Sequence, residues 1–241
     1  MVTPECIGCN QSKFTMKGFV LTMKGLLIKD IGCVELRDDL PLPELEDGEA
    51  LVRVKYAGIC GSDLRLWYTG IEKYGGEPYI LGHEFVGTVV KSKDNGNASY
   101  KIGDLVTALT YRYCNECEPC QNGRTSICMH KKNCGFGLNG TYGEYVRVKC
   151  KNIYKFRDGI DPKVAALTEP YAVAVFDLAK SGFRAGQTVF ISGGGPIGTL
   201  IAIHARYAGA SNIVISEINE NRISFIRSLG FRTVNPMKDD A

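Results

Sequence analysis

Four cysteines fall within fifteen residues: Cys114, Cys117, Cys120 and Cys128, in the run CNECEPCQNGRTSIC with spacing C-x2-C-x2-C-x7-C. Thiolates this close in sequence can form a tetrahedral shell around one zinc ion. Four protein ligands leave no coordination position for a substrate, so such a site is structural. Two disulfides are the competing reading of the same spacing. The rest of the chain reads as an intracellular enzyme, and in that setting the pattern favours metal.

A second group has the makings of chemistry. Cys60 stands in GICGSD, His83 and Glu84 in LGHEF, and Glu169 in TEP. Singly each has a bland reading, since a cysteine at a strand end is often a small apolar filler. Together they offer the S, N and O donors of an open zinc site, where three protein ligands leave a fourth position for water or an alcohol. Zinc so placed lowers the pKa of a bound oxygen toward neutrality, and an alcohol can then lose its proton without a strong base. That loss must precede hydride transfer to a nicotinamide. Asp63 is the candidate partner for the other ring nitrogen of His83; its alternative reading is a turn aspartate. Ser62 offers a hydroxyl to carry the alcohol proton outward.

A third feature is a glycine turn, GGGPIG. Gly193, Gly195 and Gly198 give G-x-G-x-x-G between a strand and a helix, with Ile197 inside the turn. The first glycine permits the turn, the second admits a pyrophosphate, and the third allows close helix–strand packing. The helix N-terminus then faces the phosphates. Glu217 follows Gly198 by 19 residues at the end of the next strand. A carboxylate there accepts from the ribose 2′-hydroxyl and repels a 2′-phosphate, which favours NAD over NADP. Arg222 could instead pair with a phosphate; its alternative is a solvated helix residue.

These residues need elements to position them. Segments 50–59, 84–92, 104–110 and 142–149 are rich in β-branched residues and separated by Gly, Pro, Asp and Asn turns, which predicts a barrel-like β domain. Residues 91–104 read as a polar turn or loop. Residues 161–182 read as helix, with Asp161 as N-cap, Pro162 at N1 and Gly182 as the stop. Pro170 interrupts that stretch and predicts two pieces. After Gly186, the segments 187–192, 199–210, 212–217, 219–230 and 231–234 alternate strand and helix, the pattern of a parallel sheet. A complete dinucleotide fold has two such halves, so roughly 80–110 further residues are expected and the chain reads as a fragment or truncated frame.

Bulk properties agree with an enzyme. The 241 residues are 44% hydrophobic and 23% charged, with a net charge of +3. No basic stripe with interleaved aromatics points to nucleic acid. No apolar run reaches membrane-span length, and the N-terminus lacks a secretory pattern, so cytoplasm is the expected compartment. Cys6 and Cys9 form a lone C-x2-C in a stretch that reads as a frayed tail. Met16 and Met23 are both candidate starts. The expected division is an extension over 1–22, a catalytic domain over 23–160 with a zinc lobe at 112–130, a helical connection over 161–185 and a nucleotide-binding part over 186–241.

The motifs GICGSD (58–63), LGHEFVG (81–87), the Cys114–Cys128 lobe, TEP (168–170) and GGGPIG (193–198) follow the order of the zinc-containing medium-chain dehydrogenase/reductase family, which the chain resembles over about residues 24–235. The likeness is to its polyol branch: sorbitol (L-iditol), galactitol-phosphate and threonine dehydrogenases. It implies an α/β plus β fold, a GroES-like catalytic domain followed here by the first half of a Rossmann domain. It implies two zinc ions per chain, with Cys60 and His83 as catalytic ligands. Glu84, and Glu169 directly or through water, would complete that site, and Ser62 would begin the proton relay. In the alcohol dehydrogenase branch a cysteine replaces Glu169, so the EP pair favours polyols. Threonine dehydrogenases carry a relay histidine where this chain has Arg65, which weighs against that substrate. The expected activity is NAD-linked oxidation of a secondary hydroxyl on a small alcohol. The full-length form would be a homo-oligomer, with no nucleic-acid or membrane partner. The alternatives are a truncated, non-catalytic relative that holds zinc or a partner protein, and a threonine dehydrogenase-like activity.

Overall fold

Short β-branched runs between glycine turns fold the first part of the chain into mainly antiparallel sheets, β8 with β9 being a parallel pair. The computed structural model describes residues 21–72, 76–94, 96 and 98–239. Cys6, Cys9, Met16 and the first twenty residues of the expected extension lie outside that range. Met23 lies inside it and is buried. The strands are β1 (Thr22–Asp30), β2 (Cys33–Pro41), β3 (Glu49–Ala57), β4 (Tyr79–Ile80), β5 (Phe85–Ser92), β6 (Leu105–Ala108), β7 (Tyr111–Arg112), β8 (Lys132–Cys134), β9 (Gly137–Leu138), β10 (Tyr145–Lys149) and β11 (Ile153–Lys155). One sheet has the order β10-β3-β5-β6-β11, and β2-β1-β4 form another. Inward residues of the five-stranded sheet, among them Val52, Phe85, Val89, Val106 and Val146, make the largest core. The chain divides into two compact units between Ala166 and Leu167.

The pairing of β3 with β5 decides where chemistry can happen. Ala57 pairs with Phe85 at the end of that antiparallel ladder. The chain leaving β3 therefore runs beside the chain entering β5, and the Gly58 N–H donates to the Glu84 carbonyl at 3.0 Å. Cys60 and His83 reach the same end of the sheet for this reason. Helix α1 (Gly61–Thr69) starts at once, with Cys60 as its N-cap.

The cysteine lobe comprises β7, a short helix α2 (Glu118–Gln121), β8 and β9. Its base is tied to the barrel by polar contacts. The Asn152 amide donates to the carbonyls of Leu109 (3.3 Å) and Tyr111 (3.0 Å). Glu49, fully buried, meets Arg112 at 3.0 Å, Lys149 at 3.0 Å and Arg147 at 3.4 Å. Burial by itself would raise the Glu49 pKa. The Glu46 N–H and the three cations outweigh it and hold the carboxyl below its ordinary 4.5. A depressed carboxylate contributes stability above its unfolded value and loses it as pH falls through the folded one. Glu49→Gln is accordingly expected to cost about 3 kcal/mol at neutral pH, because three cations lose their buried partner. Denaturant melts should show the gap closing on acidification from about pH 4.5 downward. A constant gap down to pH 3 would disprove the assignment.

The second unit is a parallel sheet with helices. Its elements are α4 (Thr168–Lys180), β12 (Thr188–Ser192), α5 (Pro196–Tyr207), β13 (Asn212–Ser216), α6 (Glu220–Ser228) and β14 (Arg232–Val234), preceded in the first unit by α3 (Pro162–Ala165). The sheet order is β12-β13-β14, all parallel. Asp161 caps α3 by accepting the Lys163 N–H at 2.8 Å. Gly182 follows α4 with φ +74°. Two helical pieces form, but Pro170 does not separate them. It lies in the first turn of α4, where N–H groups have no intrahelical partner to lose. Helix α5 begins three residues before the expected position, because Gly195 is its N-cap and Pro196 suits N1. The helix α4 belongs to the second unit, so the division falls within the stretch expected as a connection. Among the described residues no helix is long and apolar enough to cross a membrane.

Candidate metal centres and cofactor turn

The lobe brings its four sulfurs together without bonding them. Cys128 Sγ lies 3.6 Å from Cys114 and 3.8 Å from Cys117, and Cys114 lies 4.0 Å from Cys120. A disulfide needs about 2.05 Å. Four sulfurs at ~2.3 Å from one tetrahedral zinc stand ~3.8 Å apart, so the donor set fits that ion. Backbone N–H groups already point at the sulfurs. Cys114 accepts from Glu116 (3.4 Å) and Cys117 (3.3 Å), and Cys128 accepts from Cys114 (3.4 Å) and His130 (3.3 Å). The N–H groups of Glu116 and Cys117 draw the Cys114 thiol down, and that of Met129 draws Cys117 down to about 6. His130 contributes its backbone here, while the residue itself is exposed.

At the end of β3 and β5, donor atoms of Cys60, His83 and Glu84 lie within 4.8 Å of one another. The geometry around them is specific. Asp63, at N3 of α1, accepts the Cys60 N–H on Oδ2 at 2.9 Å. Its Oδ1 faces His83 Nδ1 at 3.6 Å. Burial disfavours a charged imidazole, yet Asp63 and Cys60 outweigh that and push His83 up to about 10. His83, and then Ser62, draw the Cys60 thiol down against its burial. The N-terminal position on a helix also favours thiolate. Burial raises Glu84. Gly58 makes room for it, because a Cβ at Gly58 would overlap the Glu84 carboxylate. The Ser62 hydroxyl is buried, close enough to the Cys60 thiol to draw it down but without a hydrogen bond of full geometry. Both Asp63 Oδ1 and His83 Nδ1 likewise lack one within bonding distance. A soft thiolate, an imidazole and a carboxylate around unspent polar atoms fit a zinc ion.

Other residues with polar or aromatic side chains lie nearby or elsewhere. Arg65 is exposed on α1. Trp67 is half-buried with its indole N–H unpartnered, and Tyr68 is exposed. Glu169 is half-buried in the first turn of α4, in the second unit. His204 accepts or donates through Nδ1 to the Tyr171 hydroxyl at 2.9 Å, which ties α5 to α4.

The glycine turn has the geometry its spacing implies. Gly193 has φ +94°. A Cβ on Gly198 would overlap the Gly193 carbonyl, and one on Gly195 would meet nothing within 4 Å. Open space at Gly195 and at the α5 N-terminus is what a pyrophosphate requires. Gly194 was not singled out by spacing, yet a Cβ there would strike Ile226 and Glu217. Glu217 Oε2 accepts the Gly194 N–H at 2.9 Å, and Oε1 accepts those of Ile218 (2.8 Å) and Asn219 (2.9 Å). These N–H groups, Asn219 foremost, hold its pKa down. Arg222 approaches Oε2 at 3.5 Å. Ile197 is half-buried in the first turn of α5.

Comparison with known proteins bears on both units. Residues 46–158 match the alcohol dehydrogenase GroES-like domain. An L-threonine 3-dehydrogenase of Bacillus subtilis (strain 168) is 34% identical over 90% of this chain and 63% of its own length. A protein of Sinorhizobium meliloti 1021 described as a zinc-binding dehydrogenase, solved with NADP bound, superposes with a TM-score of 0.83 at 31% identity, covering 91% of this chain and 64% of that one. Galactitol-1-phosphate dehydrogenase from Escherichia coli superposes with a TM-score of 0.81 at 26% identity, covering 90% and 62%. The chain thus spans somewhat less than two thirds of these relatives. Its fold is a GroES-like domain followed by part of a Rossmann domain.

Proposed function

Because the chain belongs to the zinc-containing medium-chain dehydrogenase/reductase family, we propose that it serves the oxidation of a secondary alcohol, a polyol or related small molecule, with hydride passing to NAD. The observation that carries this reading is the meeting of Cys60, His83 and Glu84 beside the buried Ser62 hydroxyl. Those three residues would hold zinc, which supplies a Lewis acid that makes a substrate hydroxyl more acidic. A second zinc would sit among the four lobe thiolates with no chemical part to play.

The chain's own residues do the rest. Asp63 takes the Nδ1 side of His83, leaving Nε2 for coordination. Cys60 is supplied as thiolate by its imidazole neighbour and by the helix terminus. Ser62 Oγ has unspent hydrogen-bonding capacity and would receive the substrate's hydroxyl proton and pass it outward. In the second unit Gly193, Gly195 and Gly198 would let a pyrophosphate approach the α5 N-terminus, in whose first turn Ile197 lies half-buried. Glu217 retains lone-pair capacity beyond its three backbone donors and would accept from the ribose hydroxyls of NAD. Its negative charge disfavours the extra phosphate of NADP, while Arg222 beside it softens that preference.

The test combines elemental analysis of zinc with NADH absorbance over a panel of secondary alcohols. L-Threonine belongs on the panel because a 34% identical relative carries that activity in its name. The expected result is two zinc ions per chain and NAD-linked oxidation of at least one diol or polyol. A zinc content of one, or oxidation that needs no zinc at Cys60, contradicts the proposal.

A further inference from the structure

Tyr142 lies 79 residues from Asp63 in sequence, and its hydroxyl stands 2.6 Å from Asp63 Oδ2. The same hydroxyl is 2.9 Å from the Gly58 carbonyl. A phenol has one proton, and the charged carboxylate is the stronger acceptor. Oδ2 of Asp63 therefore accepts from both Tyr142 and the Cys60 N–H. Its other oxygen has no partner except His83 Nδ1, which it faces at 3.6 Å.

The ring of Tyr142 is placed as tightly as its hydroxyl. Gly82 has φ +91°, and a Cβ there would come within 2.5–2.6 Å of two Tyr142 ring carbons. The Tyr142 N–H donates to the Leu81 carbonyl at 2.9 Å, and the Thr141 N–H to that of Gly82 at 3.0 Å. One side chain thus touches the segment that carries Cys60 and Ser62 and the segment that carries His83.

We propose that Tyr142 is a positioning residue: its hydroxyl turns the Asp63 carboxylate so that Oδ1 is kept for His83 Nδ1, and so aims the opposite imidazole nitrogen at the metal. This inference rests on Cys60, His83 and Glu84 being zinc ligands. Packing alone would need only the ring. Tyr142→Phe keeps the ring on Gly82 and removes the aiming hydrogen bond, which separates the two roles.

The experiment follows zinc release from the zinc-loaded full chain to the chromogenic chelator 4-(2-pyridylazo)resorcinol, in two phases, one per site. Tyr142→Phe is expected to speed the Cys60/His83 phase about tenfold, the lower range for losing a partner behind a ligand. The four-thiolate phase should stay unchanged and serves as the internal standard for folding. In an Asp63→Asn background the same substitution should add less than about twofold, since it acts through Asp63. A two-zinc chain in which Tyr142→Phe matches the wild type overturns the inference and leaves the ligand reading standing. So does a full tenfold effect retained in the Asp63→Asn background. A wild-type chain that yields a single zinc overturns the ligand reading and this inference together.

Discussion

Replacing Cys60 with serine is expected to lower kcat/KM by roughly a thousandfold or more, equivalent to at least ~4 kcal/mol of barrier, while zinc falls from two ions per chain to one. On the proposed reading the sulfur is the soft donor of the open site, and a serine hydroxyl is neither ionised at neutral pH nor a comparable zinc ligand. Folding should survive the change. Cys60 is the N-cap of α1, and serine is among the preferred residues there. The Cys60 N–H that Asp63 accepts belongs to the backbone and is untouched. Steady-state NADH formation and elemental zinc on the same preparation check both parts. A Cys60→Ser protein with wild-type turnover would remove the chemical basis of the proposed function.

The complementary change, Cys128→Ser, should also take zinc from two to one, but with the opposite consequence. Cys128 Sγ stands within 3.8 Å of two other lobe sulfurs and receives two backbone N–H groups. Over residues 111–131 only Pro119 and Cys128 are buried, so a bound ion would supply most of the lobe's order; structural zinc sites contribute roughly 10–16 kcal/mol of apparent binding energy. Without it the local opening free energy should fall toward zero. Trypsin is then expected to cut rapidly at Arg124 and Lys131, both exposed, while the core around Val52, Phe85 and Val106 stays resistant. Equal resistance of variant and wild type would mean that the thiolates do not hold the lobe together. Zinc content thus drops alike in the two variants, and only proteolysis and turnover tell the sites apart.

Legibility followed sequence distance. The lobe could be read from spacing because all four donors lie within one short loop, and its observed sulfur separations match a single tetrahedral ion. The glycine turn could be read because its donors, its helix and Glu217 belong to one strand–helix–strand unit. Even there, spacing does not mark Gly194, since its need for no side chain comes from Ile226 on a later helix. Proline interrupts helix interiors, which predicts a break at Pro170; it stands instead in the first turn of α4, where the lost N–H costs nothing.

The residue types alone determined the chemistry on offer: four clustered thiolates, a scattered thiolate, imidazole and carboxylates, and a phosphate turn followed by an acid. Tertiary structure decided which of the scattered residues meet and how they are aimed. The pairing of Ala57 with Phe85 sets Cys60 beside His83 and Glu84, and the loop before β10 returns Tyr142 to Asp63. Glu49 collects Arg112, Arg147 and Lys149 from two other strands in the same way. Local spacing specifies contacts closed by a few soft dihedrals. Contacts between distant segments depend on sheet register, which is set by burial of a whole apolar face.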